Sequence, residues 1–437
     1  MASTGFDAVA NLGKERVAER FMLIGETNSP LADHFLNKRP KKPLDEQGYR
    51  MPMVTQEPGG HNLYAQGTSD FRAPIAMDSD SMRVYPVWYQ LAHQLNGSTL
   101  RALKAGKETQ LLNYRRDIGI LTDVALKHMN YFLHGDGTGA LSVCSDAALN
   151  ANGAKTFTPL LLASSGAGEA ETKGGVRLKR NHVYAVMNSA TGAIKSTFTV
   201  NTPGKTSAAV TVANFSANSA SGDPVVDLSF NATTACYKKA PAGLRSLMAA
   251  TGVVQNVDRA TFFEWKTPQV NANDLPITPY LYKTAKTYVR IASNDMGEAM
   301  GRLIVMTPGQ DAMLCIQQFG YRRYEGNDIN TARGVAGKYV DAEGDTIIYD
   351  ADGAEDRIYI MDGNSYYWGE EKSFGIFDED TLELRMLAGT NGVGSDSFYL
   401  AIGCGGNLIK DVSESTLQKD AFINRLSQTD LPMQQSF

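Results

Sequence analysis

The sequence predicts an α+β protein organised around one long helix, and three observations carry that expectation. Over Glu108–Gly139 (ETQLLNYRRDIGILTDVALKHMNYFLHGDGTG) the residues Leu111, Tyr114, Ile118, Leu121, Ala125, Met129 and Phe132 recur at steps of three and four. That spacing draws a single apolar stripe along a helix. Between residues 176 and 230, short β-rich runs alternate with turn signals at near-even spacing. From 236 to 437, helical and strand patterns mix without strict βαβ alternation, which argues for α+β rather than a doubly wound parallel sheet.

Taken in order, residues 1–47 read as an N-terminal arm. A short helical pattern, Phe6–Met22, gives way to Asn28-Ser-Pro30 and to the basic run Lys38-Arg-Pro-Lys-Lys-Pro43. Prolines 40 and 43 favour an extended path there. Basic runs occur in nucleic-acid tags, but a solvated or subunit-contacting arm is the plainer reading. Residues 48–100 lack helical periodicity. Glu57-Pro-Gly-Gly60 and Asn96-Gly-Ser98 are turn signals, and between them Phe71–Met77, Asp78–Ser81 and Arg83–Leu95 read as strand, turn and strand. An isolated two-stranded hairpin is marginal in water, so this one is expected to lean on a neighbouring subunit.

The long helix follows, within a segment 101–150. Its other face carries Asn113, Arg116, Asp123, Lys127 and Asn130, which suit water or a polar neighbour. At about 1.5 Å per residue it runs roughly 35–40 Å. Gly135-Asp-Gly-Thr-Gly139 then stops it. Residues 140–175 show little pattern. The β-rich runs His182–Met187, Ser196–Asn201, Ala208–Phe215 and Val225–Phe230 predict a small barrel or sandwich within 151–235. In 236–437, Ala242–Gly252 and Ala292–Met300 look helical. Arg302–Met306 reads as a buried strand feeding a helix over Gln310–Phe319. Thr346–Asp350 and Arg357–Asp362 read as a hairpin about Ala351–Glu355, and Phe398–Ile402 as another strand.

Whole-chain properties exclude several classes. The chain has 437 residues, with 43% apolar and 20% charged, the profile of a globular protein rather than a disordered one. Its net charge of −5 argues against a protein that coats nucleic acid through a basic surface. Cys144, Cys236, Cys315 and Cys404 form no CxxC pair, so neither a zinc site nor a disulfide framework is expected. No secretory pattern opens the chain and no apolar run reaches bilayer length, so synthesis and folding in cytoplasm are expected.

Candidate chemistry fails on the same reading. Gly204-Lys-Thr206 ends like a phosphate loop, but Thr199 stands where its first glycine belongs and the loop joins two strands. Asp350-Ala-Asp-Gly353 lacks the third early acid of a calcium loop and has Met361 at the twelfth position. HExxH and GxSxG are absent, and His34, His61, His93, His128, His134 and His182 fall without metal-ligand spacing. His128 reads as a satisfied core histidine, and His134 as a charge partner at the helix C-terminus. Nothing assembles a nucleophile, a base and an oxyanion site, and no cofactor is expected.

With arm, hairpin, long helix and glycine stop in this order, the chain resembles the HK97-like major capsid proteins of tailed double-stranded DNA phages. The resemblance rests on FLHGDGTG (Phe132–Gly139), RVYPVWYQ (Arg83–Gln90), RLIVMTP (Arg302–Pro308) and the β module containing Ser221-Gly-Asp223. It implies an N-arm over 1–47, an E-loop over 48–100, a spine helix with the peripheral domain over 101–150 and an inserted β module over 151–235. An axial domain with returning peripheral strands would occupy 236–437. It implies hexamers and pentamers closing an icosahedral shell around DNA, in a virion, with portal, scaffolding and cement proteins as partners. Some relatives cross-link through an E-loop lysine. No lysine lies between Lys42 and Lys104 here, so a non-covalent shell is expected. Phe71 and Trp88 are the candidate subunit-interface anchors, because aromatic residues are enriched at interface cores. An encapsulin-type compartment is the alternative with the same fold. An α+β enzyme with a β appendage and a β-rich adhesion or tail component are further alternatives.

Overall fold

A computed structural model of the protein describes residues 29–56, 78–96, 108–144, 155–157, 159–160, 177–202, 210–213, 222–228, 237–262, 265–273, 275–293, 302–319, 345–363, 365–376, 385–388, 394–410 and 420–426. The expected long helix is present over Glu108–His134, 27 residues. It stops where the glycines begin: the Gly135 N–H donates to the Phe132 carbonyl, and Gly137 takes φ 81°. A side chain is rarely tolerated in that left-handed region.

The helix lies in a peripheral body whose sheet runs in the order Lys41–Pro43, Tyr366–Ile376, Gly394–Lys410, Arg385–Ala388, with Val87–Asn96 also paired to Gly394–Lys410. Ile118, Ala125, Leu126, Met129 and Leu133 of the helix share one core with Trp368, Ile402, Leu408 and Ile409 of the sheet. The 17-residue strand Gly394–Lys410 is far longer than the expected Phe398–Ile402. Its glycines are required by close approach. A Cβ on Gly406 would lie 2.7 Å from the Trp368 ring and closer still to the Gly369 carbonyl.

The axial body is a second five-stranded sheet, ordered Gln269–Asn271, Asp420–Asn424, Ile358–Asp362, Arg302–Met306, Thr346–Tyr349. Successive side chains of a strand point to opposite faces. Ile304, Met306, Ile358, Ile360 and Ile423 therefore meet Tyr282, Ala285, Val289 and Leu314 of the helices Pro279–Ser293 and Pro308–Phe319. Leu303, Val305, Tyr359, Met361 and Phe422 face the other way, into the core shared with the long helix.

The third body is a seven-stranded antiparallel sheet, ordered Lys155–Phe157, Val210–Ala213, Ile194–Thr202, Val183–Met187, Pro224–Asp227, Ser142–Cys144, Pro159–Leu160. Its two end strands are separated in sequence only by residue 158. The sheet must therefore curl until its edges meet, as in a small barrel. Tyr131 of the long helix caps its core beside Tyr184, Phe198 and Val225.

Five expectations are corrected. The hairpin pairs Tyr49–Gln56 with Asp78–Val84, and Val87–Asn96 lies in the chain's own peripheral sheet. The expected strand Phe71–Met77 lies outside the described residues. Thr346–Tyr349 and Ile358–Asp362 do not pair with each other, because Arg302–Met306 lies between them, parallel to the first and antiparallel to the second. The arm is only partly solvated over residues 30–44: Leu31, Ala32, Phe35, Leu36 and Leu44 are buried in the peripheral core, while Asn37, Lys38, Pro40, Lys41 and Pro43 are exposed. Residues 142–160, which show little pattern, contribute three strands to the barrel. Of the two expected axial helices, Ala242–Gly252 shrinks to the single turn Leu244–Leu247, and Ala292–Met300 lies outside the described residues beyond Ser293, the last residue of a helix over Pro279–Ser293 that was not expected.

Replacing Gly406 with Ala forces a Cβ against the Gly369 carbonyl and the Trp368 ring. We expect a loss of about 1–3 kcal/mol, the usual range for overpacking, read as a lowered midpoint in chemical denaturation of the purified chain.

Candidate assembly surface

The three bodies meet at the last two turns of the long helix. Asn130 is fully buried, and its polar neighbour is not water. Its Nδ2 donates to Asp350 Oδ2 (2.8 Å) and Asp352 Oδ2 (3.0 Å), and its Oδ1 accepts the Ala32 N–H (3.0 Å). One side chain thus links the arm, the helix and the axial sheet. His134, one turn on, lies 3.0 Å from the same Asp350 oxygen. Arg177, at the edge of the barrel, donates to the Asp352 carbonyl and stacks over the Tyr131 ring at 4.7 Å. Burial alone would raise the Asp350 carboxyl. The His134 charge, with hydrogen bonds from His134, the Asp352 N–H and Asn130, outweighs it and holds the group down at about 2.

A second buried joint ties the peripheral sheet to the axial sheet. Lys410, at the end of the long strand, lies 2.6 Å from Asp420 Oδ2, and the Tyr366 hydroxyl donates to the same oxygen. Elsewhere on the helix, His128 shares a 3.3 Å hydrogen bond with Tyr89. Burial is the first cause that lowers His128 to about 4, which keeps it neutral.

The basic run of the arm is occupied within the chain. Lys38 pairs with Asp33 at 2.7 Å and Lys41 with Glu370 at 2.7 Å. Arg39 Nε donates to His34 Nε2, and Lys42 lies over the Tyr367 ring at 4.5 Å. A run whose four cations are so engaged is a poor polyphosphate tag. Cys144 and Cys404 are buried free thiols, and burial pushes Cys404 up to about 12, where the nucleophilic thiolate is scarce. Among the described residues, no group of three or more His, Cys, Asp or Glu side chains is placed to hold a metal. No helix among them is long and apolar enough to cross a membrane.

Of the two candidate interface residues, Phe71 lies outside the described residues. Trp88 is half exposed. Its ring lies flat on the long strand, with ring atoms 3.0 Å from where a Cβ of Gly405 would stand. It is therefore part of the surface of this sheet, and Tyr85 is likewise half exposed. The structure brings Trp88 to an exposed face. The junction residues Asn130, Asp350 and Asp352 were not predicted as a group, because nothing in the sequence signals a contact across more than 200 positions.

No family model and no curated protein matches the chain. Solved structures do. A chain of the cyanophage A-1(L) capsid asymmetric unit superposes with a TM-score of 0.52 at 11% identity, over 92% of this chain and 93% of that one. The chain has an HK97-like capsid fold. Among lower-scoring matches are a Mycobacterium phage Bobi chain, TM-score 0.43 at 9% identity over 91% and 90% of the two chains, and a virus-like particle from Pyrococcus furiosus. The latter has a TM-score of 0.38 at 7% identity over 94% and 99%.

Truncating Asp350 to Ala strands Asn130 and His134 without their shared acceptor. We expect a loss of about 3–5 kcal/mol, as for other broken buried pairs, measured by urea denaturation. The wild-type contribution is fully present above the ordinary carboxylate value near 4. It is lost as pH falls towards about 2. The stability gap between wild type and Asp350→Ala should accordingly narrow across that window.

Proposed function

We propose that this chain is a major capsid protein whose copies form the hexamers and pentamers of an icosahedral shell around double-stranded DNA. The observation that carries this reading is the end-to-end fold match to a phage capsid subunit, over more than nine-tenths of both chains. The engaged basic run and the net charge of −5 support a wall that encloses DNA without gripping it. In this reading the protein is not an enzyme. It is made in host cytoplasm and resides in the virion, and it works with portal, scaffolding and cement proteins. The N-arm is residues 1–47, the E-loop 48–100, the spine region 101–150, the inserted module 151–235 and the axial domain 236–437.

Expression of the chain with its candidate scaffolding partner, viewed by negative-stain microscopy, is expected to give closed shells or capsomers. A stable monomer at every concentration tested overturns the reading. Boiled in SDS, the shells should release a single band near 47.4 kDa, because the E-loop carries no lysine to cross-link; a covalent ladder refutes that. Trp88 is proposed as an inter-subunit anchor. Trp88→Ala should cut shell yield while shifting the melting temperature of the unassembled chain by only a few degrees. Wild-type yield from that variant removes Trp88 from the interface.

A further inference from the structure

The base of the hairpin carries a like-charge pair that no ion pair neutralises among the described residues. Arg50 and Arg83 stand directly opposite each other in the register Tyr49↔Val84, Arg50↔Arg83, Met51↔Met82. The Arg83 N–H donates outward to the Gln255 carbonyl (3.2 Å), not across to Arg50. Arg50 and Arg83 therefore form a non-hydrogen-bonded pair, the type whose side chains sit closest. Met51 and Met82 point into the core, so both arginines point out, and both are exposed. Like charges directly opposite one another on a ribbon are destabilising. Among the described residues neither guanidinium has an ion-pair partner.

The opposite arrangement stands just before the hairpin. Asp45 and Glu46 are exposed in the turn that leads into it, and Glu371 lies on the neighbouring peripheral strand. Pro43 pairs with Glu370, and the Leu44 N–H donates to the Glu370 carbonyl (2.9 Å), so the chain enters the Asp45–Glu46 turn beside Glu371; burial first, and then the negative charges of Glu46 and Asp45, raise the Glu371 carboxyl. Among the described residues none of the three has a cation partner. Among the described residues, one chain thus presents two groups of opposite sign without ion-pair partners, two cations at the hairpin base and three anions about the turn that leads into it.

We infer that Arg50 and Arg83 of one copy dock on Asp45, Glu46 and Glu371 of the next, so that each copy completes its neighbour's charge pairing at the base of the hairpin. This rests on the capsid reading and names a contact within it. Groups of opposite sign carried by every copy can complement one another between identical chains. Ionic contacts of this kind set partner register and suppress wrong docking more than they add raw affinity.

Two variants test it, Arg50→Glu/Arg83→Glu and Asp45→Lys/Glu46→Lys/Glu371→Lys. Each alone juxtaposes like charges between copies, and its shell yield should fall about tenfold or more. Co-expressed, they should form mixed shells containing both chains in comparable amounts, since each reversed patch then meets its complement. Repair within a chain cannot produce that result. Normal shells from either variant alone overturn the inference, and so does failure of the mixture to assemble when both chains melt as wild type does. If a reversal variant fails to fold, Arg50→Gln/Arg83→Gln takes its place, with a partial loss of yield expected and an undiminished yield overturning the pairing. Absence of shells from the wild-type chain would instead sink the capsid reading itself.

Discussion

The fold depends on a helix that is buried on more than one side. An amphipathic helix ordinarily hides one stripe and wets the other. Here the C-terminal half of Glu108–His134 presents Met129 and Leu133 to the peripheral core, Tyr131 to the barrel and Asn130 to the axial sheet. A polar side chain is retained at the third contact because the groups it meets are themselves polar: a backbone N–H from the arm and two carboxylates. An apolar residue at 130 would leave the Ala32 N–H without its acceptor and take one donor from each carboxylate, a costly loss in a buried place. Position 130 therefore fixes the angular register of the three bodies about the helix axis, which packing of interchangeable aliphatic groups would define less sharply.

How much of this was legible differs by element, for physical reasons. The helix and its stop were readable because periodicity and glycine chemistry are local. Arg302–Met306 and the helix after it were readable because a run of five apolar-rich residues closed by Thr-Pro-Gly has few other conformations. The long strand was not, because Gly403, Gly405 and Gly406 read as breaks. In the structure they are the places where the Tyr89 backbone and the rings of Trp88 and Trp368 come too close for a Cβ. The helix Pro279–Ser293 was missed because it is written in Tyr, Thr and Val, residues of strand preference that its packing against the axial sheet overrides.

The candidate surface shows the same division. Trp88 was picked for its residue type and does lie half exposed, yet its backbone belongs to the chain's own sheet rather than to a free-standing hairpin. The error was one of register. Alternation identifies that Arg83–Leu95 is extended, but not that Pro86 divides it between two sheets, with Asp78–Val84 turned one way and Val87–Asn96 the other. Proline removes a ladder donor, and a strand that must change partners is a natural place for it.

The barrel leaves and rejoins the body at one spot. The Thr138 carbonyl, in the glycine stop, accepts the Lys238 N–H at 2.8 Å, and the strands just inside, Ser142–Cys144 and Pro224–Asp227, are hydrogen-bonded neighbours. About a hundred residues thus depart and return through one doorway, with both ends of the excursion pinned together. Evolution, or an engineer, can lengthen or shorten the outer part of that excursion while Tyr131 and Arg177 keep its inner end seated on the helix.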